Sequence, residues 1–246
     1  GRRMKILIWA ECKKLRRSNI VFLTVFAVVM IAVILFIGGK SIDSGFQGMD
    51  DPGWYMIMAQ PWATLFVLPA VIALLGSYMI CREEQEDTVN LLRLIPVSET
   101  KLAAAKMIVT FVFSILIYLL LFALTFLTEA VLHVHELTVE MVLGFLKSYF
   151  LEGVCVFLAI SPIIALVSYK KKNYWLALVL AEMYSFAGMF MSMSNALRTF
   201  YPISAVLGVS GYYETTAGNR LESMMVLLFC GCLSAFILKR LKYNEK

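Results

Sequence analysis

The run IVFLTVFAVVMIAVILFI, residues 20–37, holds eighteen residues without one charge. Wound as a helix it covers about 27 Å, close to the roughly 30 Å of hydrocarbon in a bilayer. It is longer than a signal-peptide core and no Ala-x-Ala site follows it, so it reads as a retained span. Gly38-Gly39 ends it, and a polar loop with Asp43, Asp50, Asp51 and Pro52 follows. Five more apolar runs lie beyond, at about 55–80, 107–128, 141–169, 174–191 and 221–238. Across all 246 residues 61% are hydrophobic and 16% charged, where a soluble domain carries roughly a quarter charged. The expectation is an all-α membrane protein: six transmembrane helices in a single domain, 1–246, with short loops.

Residues 2–17 precede the first span and are strongly basic. At 100° per residue Met4, Leu7, Ile8, Cys12 and Leu15 share one arc, and Arg2, Arg3, Lys5, Lys13, Lys14, Arg16 and Arg17 occupy the rest. This predicts an amphipathic helix at the membrane interface, with Trp9 as an anchor and Arg16 and Arg17 toward lipid phosphates. Glu11 falls inside the apolar arc. Either it pairs with Lys14 or turns to solvent, or it is a buried acid that pins the helix to a neighbour.

Eighteen of the 22 Lys and Arg residues lie in the N-terminal helix, the 81–106 segment, the Lys170–Lys172 turn and the tail. The positive-inside rule places all four in the cytoplasm, and with them both termini, in a bacterial inner membrane. Lys40, Lys147, Arg198 and Arg220 fall on the other side, whose loops are net acidic. The net charge of +5 implies no acidic partner, and nothing in the chain points to nucleic acid. Five cysteines make no disulfide framework, since Cys12 and Cys81 flank spans and Cys155, Cys230 and Cys232 fall inside them.

Within the spans, Pro61 and Pro69 are expected to kink the second. Glu182 is read as the costliest residue, about 12 Å into the fifth span from Tyr174. It either pairs with a hydroxyl or contacts substrate. Glu152 is a second candidate for substrate contact or gating. It and Lys147 are expected near the outer interface, because the fourth span is longer than the bilayer requires. The acidic loop between spans three and four holds Glu129, His133, His135, Glu136 and Glu140. Its histidine spacing fits no helical metal motif, so no metal site is expected. Residues 196–209 are read either as a re-entrant helix at membrane depth or as a plain external loop.

Residues 81–106 read CREEQEDTVNLLRLIPVSETKLAAAK. An acidic cluster leads into a short apolar helix that Pro96 ends, and Ser98 is placed to cap a second helix running into the third span. Leu91, Leu92, Leu94, Ile95 and Val97 give this segment too much apolar surface for a free loop. The run resembles the cytoplasmic loop of ABC-2 type transporter permeases: an acid, Gly-Thr, two leucines, Pro-Val-Ser, a basic residue, and a lysine further on. Glu83, Glu84, Thr88, Leu91, Leu92, Pro96, Val97, Ser98 and Lys106 match at that spacing. Asp87 stands in place of the glycine and Glu99 in place of the basic residue. The N-terminal helix, the six spans and the longer loop before the last span extend the likeness along the chain.

The resemblance implies a permease subunit that pairs with a second permease, alike or different. Residues 81–106 would dock on a separate ATP-binding subunit that holds ATP and Mg²⁺. No enzyme activity is expected of the chain itself. Gly39-Lys40-Ser41 mimics the end of a phosphate-binding loop, but Ile34 stands where its first glycine belongs. Among such permeases the chain is most similar in style to bacitracin and lantibiotic immunity exporters. Export of an amphipathic peptide antibiotic is therefore the leading expectation. Export of a lipid-linked or hydrophobic drug, or a non-transporting anchor or regulator, are the alternatives.

Overall fold

The computed structural model describes residues 2–16, 18–41, 51–85, 99–133, 135–170 and 174–241. Among these no strand occurs, and the apolar runs are all helical. The chain forms α1 (Arg2–Leu15), α2 (Asn19–Ser41), α3 (Trp54–Trp62), a π-helical turn (Ala63–Val67) and α4 (Leu68–Gln85). It continues as α5 (Glu99–Leu132), α6 (Val139–Lys170), α7 (Trp175–Met191), α8 (Asn195–Phe200), α9 (Pro202–Ser210) and α10 (Ala217–Leu241). Five stretches are long and apolar enough to cross a bilayer: Asn19–Gly39, Trp54–Arg82, Lys101–Leu132, Val139–Val167 and Ala217–Arg240. The sixth, α7, has 17 residues, the lower limit for a span.

Lipid tails are as apolar as leucine, so helix association in a membrane rests on close packing and polar contacts rather than on escape from water. The central helices show both. α6 packs against α4, α5, α7, α9 and α10. At Gly153 its backbone approaches α5 so closely that a Cβ there would stand 2.8 Å from the Ile115 Cα. Gly76 on α4 lies under the Ile164 side chain of α6. The main core joins Met56, Leu68 and Ile72 to Tyr118, Tyr149 and Ile160.

The second span departs from one straight helix. Pro61 removes a backbone donor inside α3, and Pro69 does so at the start of α4. Between them the chain absorbs the mismatch as a π turn, a wider winding with i→i+5 hydrogen bonds. The irregularity lies between the two prolines.

α1 packs along α5. Leu15 joins Leu75, Met79 and Val109 in a small second core at the basic end of the bundle. Met4, Leu7 and Ile8 are half-buried, whereas Ile6 and Trp9 stand 60% and 64% exposed, an apolar pair beside Lys5 and Lys13. Cys12, assigned by periodicity to the apolar arc, is instead exposed. Contact with α5 selects a narrower face than hydrophobicity alone predicts. Glu11 does lie on that inner face: it is buried and accepts from Lys14 Nζ at 3.1 Å. The pairing with Lys14 is the one expected, within the same helix.

A buried polar cluster at the centre of the helix bundle

At the acidic end of the bundle Gly53 (φ 93°) turns the chain into α3, and no side chain of its own caps that helix. The missing acceptor comes from α5. Glu129 Oε1 takes the Tyr55 N–H at 2.7 Å, and Oε2 lies 2.9 Å from His133 Nδ1. A carboxylate at a helix N-terminus satisfies an orphan donor and complements the helix dipole. Glu129 therefore does not belong to the acidic loop, where the sequence placed it. α5 runs on to Leu132, and Glu129 is fully buried. Among the described residues no group of three or more His, Cys, Asp or Glu is arranged to hold a metal.

In the first turn of α3, the Met56 carbonyl accepts two side-chain donors, the Tyr149 hydroxyl from α6 at 2.8 Å and Gln60 Nε2 at 3.2 Å. In the π turn, Thr64 Oγ1 and the Tyr118 hydroxyl of α5 share a hydrogen bond of 2.9 Å. Ser114 donates to the Gly153 carbonyl at 2.7 Å, where α5 and α6 approach closely. Glu152 sits beside that contact, 0% exposed, close enough to Tyr118, Tyr149, Cys155 and Tyr212 to act on them electrostatically. Neither of its oxygens is hydrogen-bonded. Ser210 lies within reach of the carboxyl, but its hydroxyl donates to the Leu207 carbonyl at 3.2 Å. Gln60 Oε1 is also without a partner.

The two intramembrane acids thus exchange roles. Glu182, expected to be the costlier, is only half-buried, on a helix whose outer face carries Val179, Met183 and Phe186. Glu152, expected near the outer interface, is enclosed by protein. About 20 Å of helix separates it from the start of α6 at Val139. Lys147, five residues earlier, is exposed.

The cover over this cluster comes from residues 195–210, which are helical rather than a plain loop. Two short helices form, and every residue from Ile203 to Ser210 in α9 is buried. Three hydrogen bonds strap the unit down. Tyr201 donates its hydroxyl to the Tyr184 carbonyl of α7 at 2.7 Å, Ser223 of α10 donates to Thr199 O at 3.2 Å, and Ser148 of α6 donates to Ser210 O at 2.9 Å. Gly211 (φ 96°) then ends α9 in the left-handed conformation that glycine tolerates. Arg198 stacks over Tyr213 at 4.5 Å. Burial, with Tyr213 and Glu152 adding to it, holds the Tyr212 hydroxyl above its usual range.

At the basic end, α4 carries Glu83 and Glu84 in its last turn, and α5 begins at Glu99. Lys106 is buried near the start of α5. Thr88, Leu91, Leu92, Pro96, Val97 and Ser98 lie outside the described residues, as does Arg17; Arg16 is exposed just beyond α1.

Over residues 7–188 the chain matches the family described as ABC-2 family transporter protein. It belongs to that family. The chain is therefore a membrane-embedded permease of an ABC transporter, and in this family ATP hydrolysis falls to a separate ATP-binding subunit with which the permease works. The match covers the last nine residues of α1, all of α2 to α6 and most of α7, together with the segment between α4 and α5. No curated protein matches the chain.

Proposed function

We propose that this ABC-2 permease exports an amphipathic peptide antibiotic or a similar molecule. In this reading it pairs with a second permease subunit in the inner membrane of a bacterium, and residues 81–106 dock on the ATP-binding subunit. The basic end of the bundle, with both termini, faces the cytoplasm, α1 rests among lipid headgroups, and ATP and Mg²⁺ stay in the partner.

The observation that carries the coupling is mechanical. α4 continues as helix past its apolar stretch to Gln85, and α5 is already helical at Glu99. The segment between them is therefore mounted on two rigid helices. A push delivered to α4 and α5 through this segment would pass into the second and third spans, as rigid-body transmission requires. The matched acids Glu83 and Glu84 sit at the base of this mount, where they would meet the rim of a docking groove. Lys106 anchors its other side within the bundle.

The substrate side of the reading draws on the acidic outer loops, which favour a cationic or amphipathic molecule, and on Glu152 and Glu182 as contacts along its route. Co-purification with the ATP-binding subunit tests the coupling. Leu92→Asp places a charge in the docking surface and is expected to abolish the complex while the permease still inserts and folds. Undiminished binding by that variant rules the docking assignment out.

A further inference from the structure

We propose that Arg198 and Arg220 form a binding site for the phosphate of an anionic phospholipid, at the rim of the cover made by α8 and α9. The site lies beyond residue 188, where the family match ends. It shares with the exporter reading only the orientation of the bundle, which puts this rim at the outer leaflet.

Both arginines reach the turn that closes α9. Arg198 comes from α8 and lies over the Tyr213 ring, 4.5 Å from its centroid. Asn195 Oδ1 accepts from its Nη2 at 3.1 Å, and its Nε is shielded from solvent with no acceptor among the described residues. Arg220 comes from the first turn of α10. A Cβ at Gly211 would stand 3.3 Å from its Nη2, so this guanidinium lies against the backbone of the same turn. The two helices are tied just behind, where Ser223 donates to the carbonyl of Thr199, the neighbour of Arg198.

Two positive charges thus flank one turn, and among the described residues no carboxylate lies within ion-pair reach of either. The nearest acids in the chain are Glu214, exposed after the turn, and Glu222, which lies about 160° round α10 from Arg220. A guanidinium offers five N–H donors and no acceptor, and its fork matches the oxygens of a phosphate. The neighbouring surface favours a lipid over a soluble anion. Met224 and Leu228 follow Arg220 at i+4 and i+8, both exposed on one stripe of α10. Leu197 and Phe200 stand exposed beside Arg198 on α8. Arg220 is three residues inside the start of the last span, and Tyr201, Tyr212 and Tyr213 are half-buried around the turn, as in the aromatic belt of a membrane boundary. A headgroup held by the arginines would lay its acyl chains along this apolar stripe. It would also add a tie between α8 and α10 to the hydrogen bonds that strap the cover down.

The probe is phosphatidylglycerol with a diazirine on one acyl chain, close to the glycerol. Phosphatidylcholine and diacylglycerol with the same group are the comparisons, each a trace component of phosphatidylcholine nanodiscs that hold the full chain. Labelled residues are mapped by mass spectrometry, which separates this site from the basic α1. Labelling of α8 and the first half of α10 is expected to be severalfold higher from phosphatidylglycerol than from phosphatidylcholine, and lowest from diacylglycerol. Arg198→Gln and Arg220→Gln are each expected to cut the phosphatidylglycerol labelling there severalfold, with lysine at either position keeping most of it. Excess soluble glycerol phosphate is expected to leave it unchanged.

Equal labelling from phosphatidylglycerol and diacylglycerol would reduce the site to ordinary lipid contact and overturn it. Displacement by glycerol phosphate would assign a soluble anion instead, and labelling unaltered by both glutamine variants would remove the arginines from the site. The headgroup comparison uses the wild type alone, so it decides the matter should a variant fold poorly. None of these results bears on the loss of the ATP-binding subunit from Leu92→Asp, so the exporter reading is tested separately.

Discussion

The most apolar eighteen-residue stretches of Trp54–Arg82 and Ala217–Arg240 are equal in mean hydropathy, yet 78% of the first stretch is enclosed by protein and only 22% of the second. A bilayer rewards both alike, because lipid covers an apolar face as well as protein does. What separates them is the means of holding neighbours. The first span carries Gly76 under Ile164, Thr64 bonded to Tyr118, and a backbone whose proline-freed groups need company. The last span shows Leu221, Met225, Leu228, Phe229 and Phe236 outward, and its chief polar ties are Ser223 to Thr199 and Ser234 to its own helix. Hydropathy says that a helix crosses. Small residues and polar pairs say what it crosses beside.

The widest gap between the two spans is expected on truncation. Leu74→Ala, at a fully buried position, removes packing that lipid cannot refill and should destabilise by about 2–5 kcal/mol. Phe229→Ala, 68% exposed on α10, should stay within about 0.5 kcal/mol. Reversible unfolding in mixed micelles measures both, and equal losses would erase the distinction.

Next comes Glu129→Leu, which strands the Tyr55 N–H at the buried start of α3 and should destabilise by about 1–3 kcal/mol. Amide exchange at Tyr55 should accelerate, while exchange in α10 stays as it was. Gly153→Ala sharpens the comparison at a single methyl. Its Cβ meets the Ile115 backbone, which can yield only if α5 and α6 separate, so a loss of about 1–3 kcal/mol is expected. At Gly231 on α10 the obstacle is the Leu158 Cδ2 at 2.9 Å, the tip of a flexible side chain, and Gly231→Ala should unfold at a temperature close to the wild type's.

Smallest is Tyr149→Phe. The Met56 carbonyl keeps Gln60 Nε2, so no acceptor is abandoned, and about 0.5–1 kcal/mol should be lost.

The apolar runs, the basic flank of α1 and the prolines of the second span were legible in the sequence because each is a local property of composition or covalent chemistry. The family likeness was legible in the 81–106 segment for the same reason. The candidate site was not. Which of Glu152 and Glu182 is enclosed depends on which face of its helix meets protein, and in an apolar span both faces read alike. Glu129 looked like a loop acid because polar residues follow it closely, yet α5 carries it inward for a distant partner, the N–H of Tyr55. The signal that could have found it is the uncapped start of α3 after Gly53, which needs an acceptor from elsewhere in the fold. Residues 202–210 are too few to span a bilayer, so only their packing against α6 and α10 reveals them as interior.

The π turn at Ala63–Val67 has a consequence for the way the second span is read along its length. A π turn accommodates one more residue than an α turn, and one residue corresponds to about 100° of rotation. The stripe of side chains that faces α5 below Leu68 is therefore offset from the stripe that faces it above Trp62. Deleting a single residue from that turn would let the span wind as one α-helix, and would swing Met56 and Gln60 roughly a quarter-turn away from Tyr149. The extra residue keeps the two halves of one helix aimed at the same neighbour.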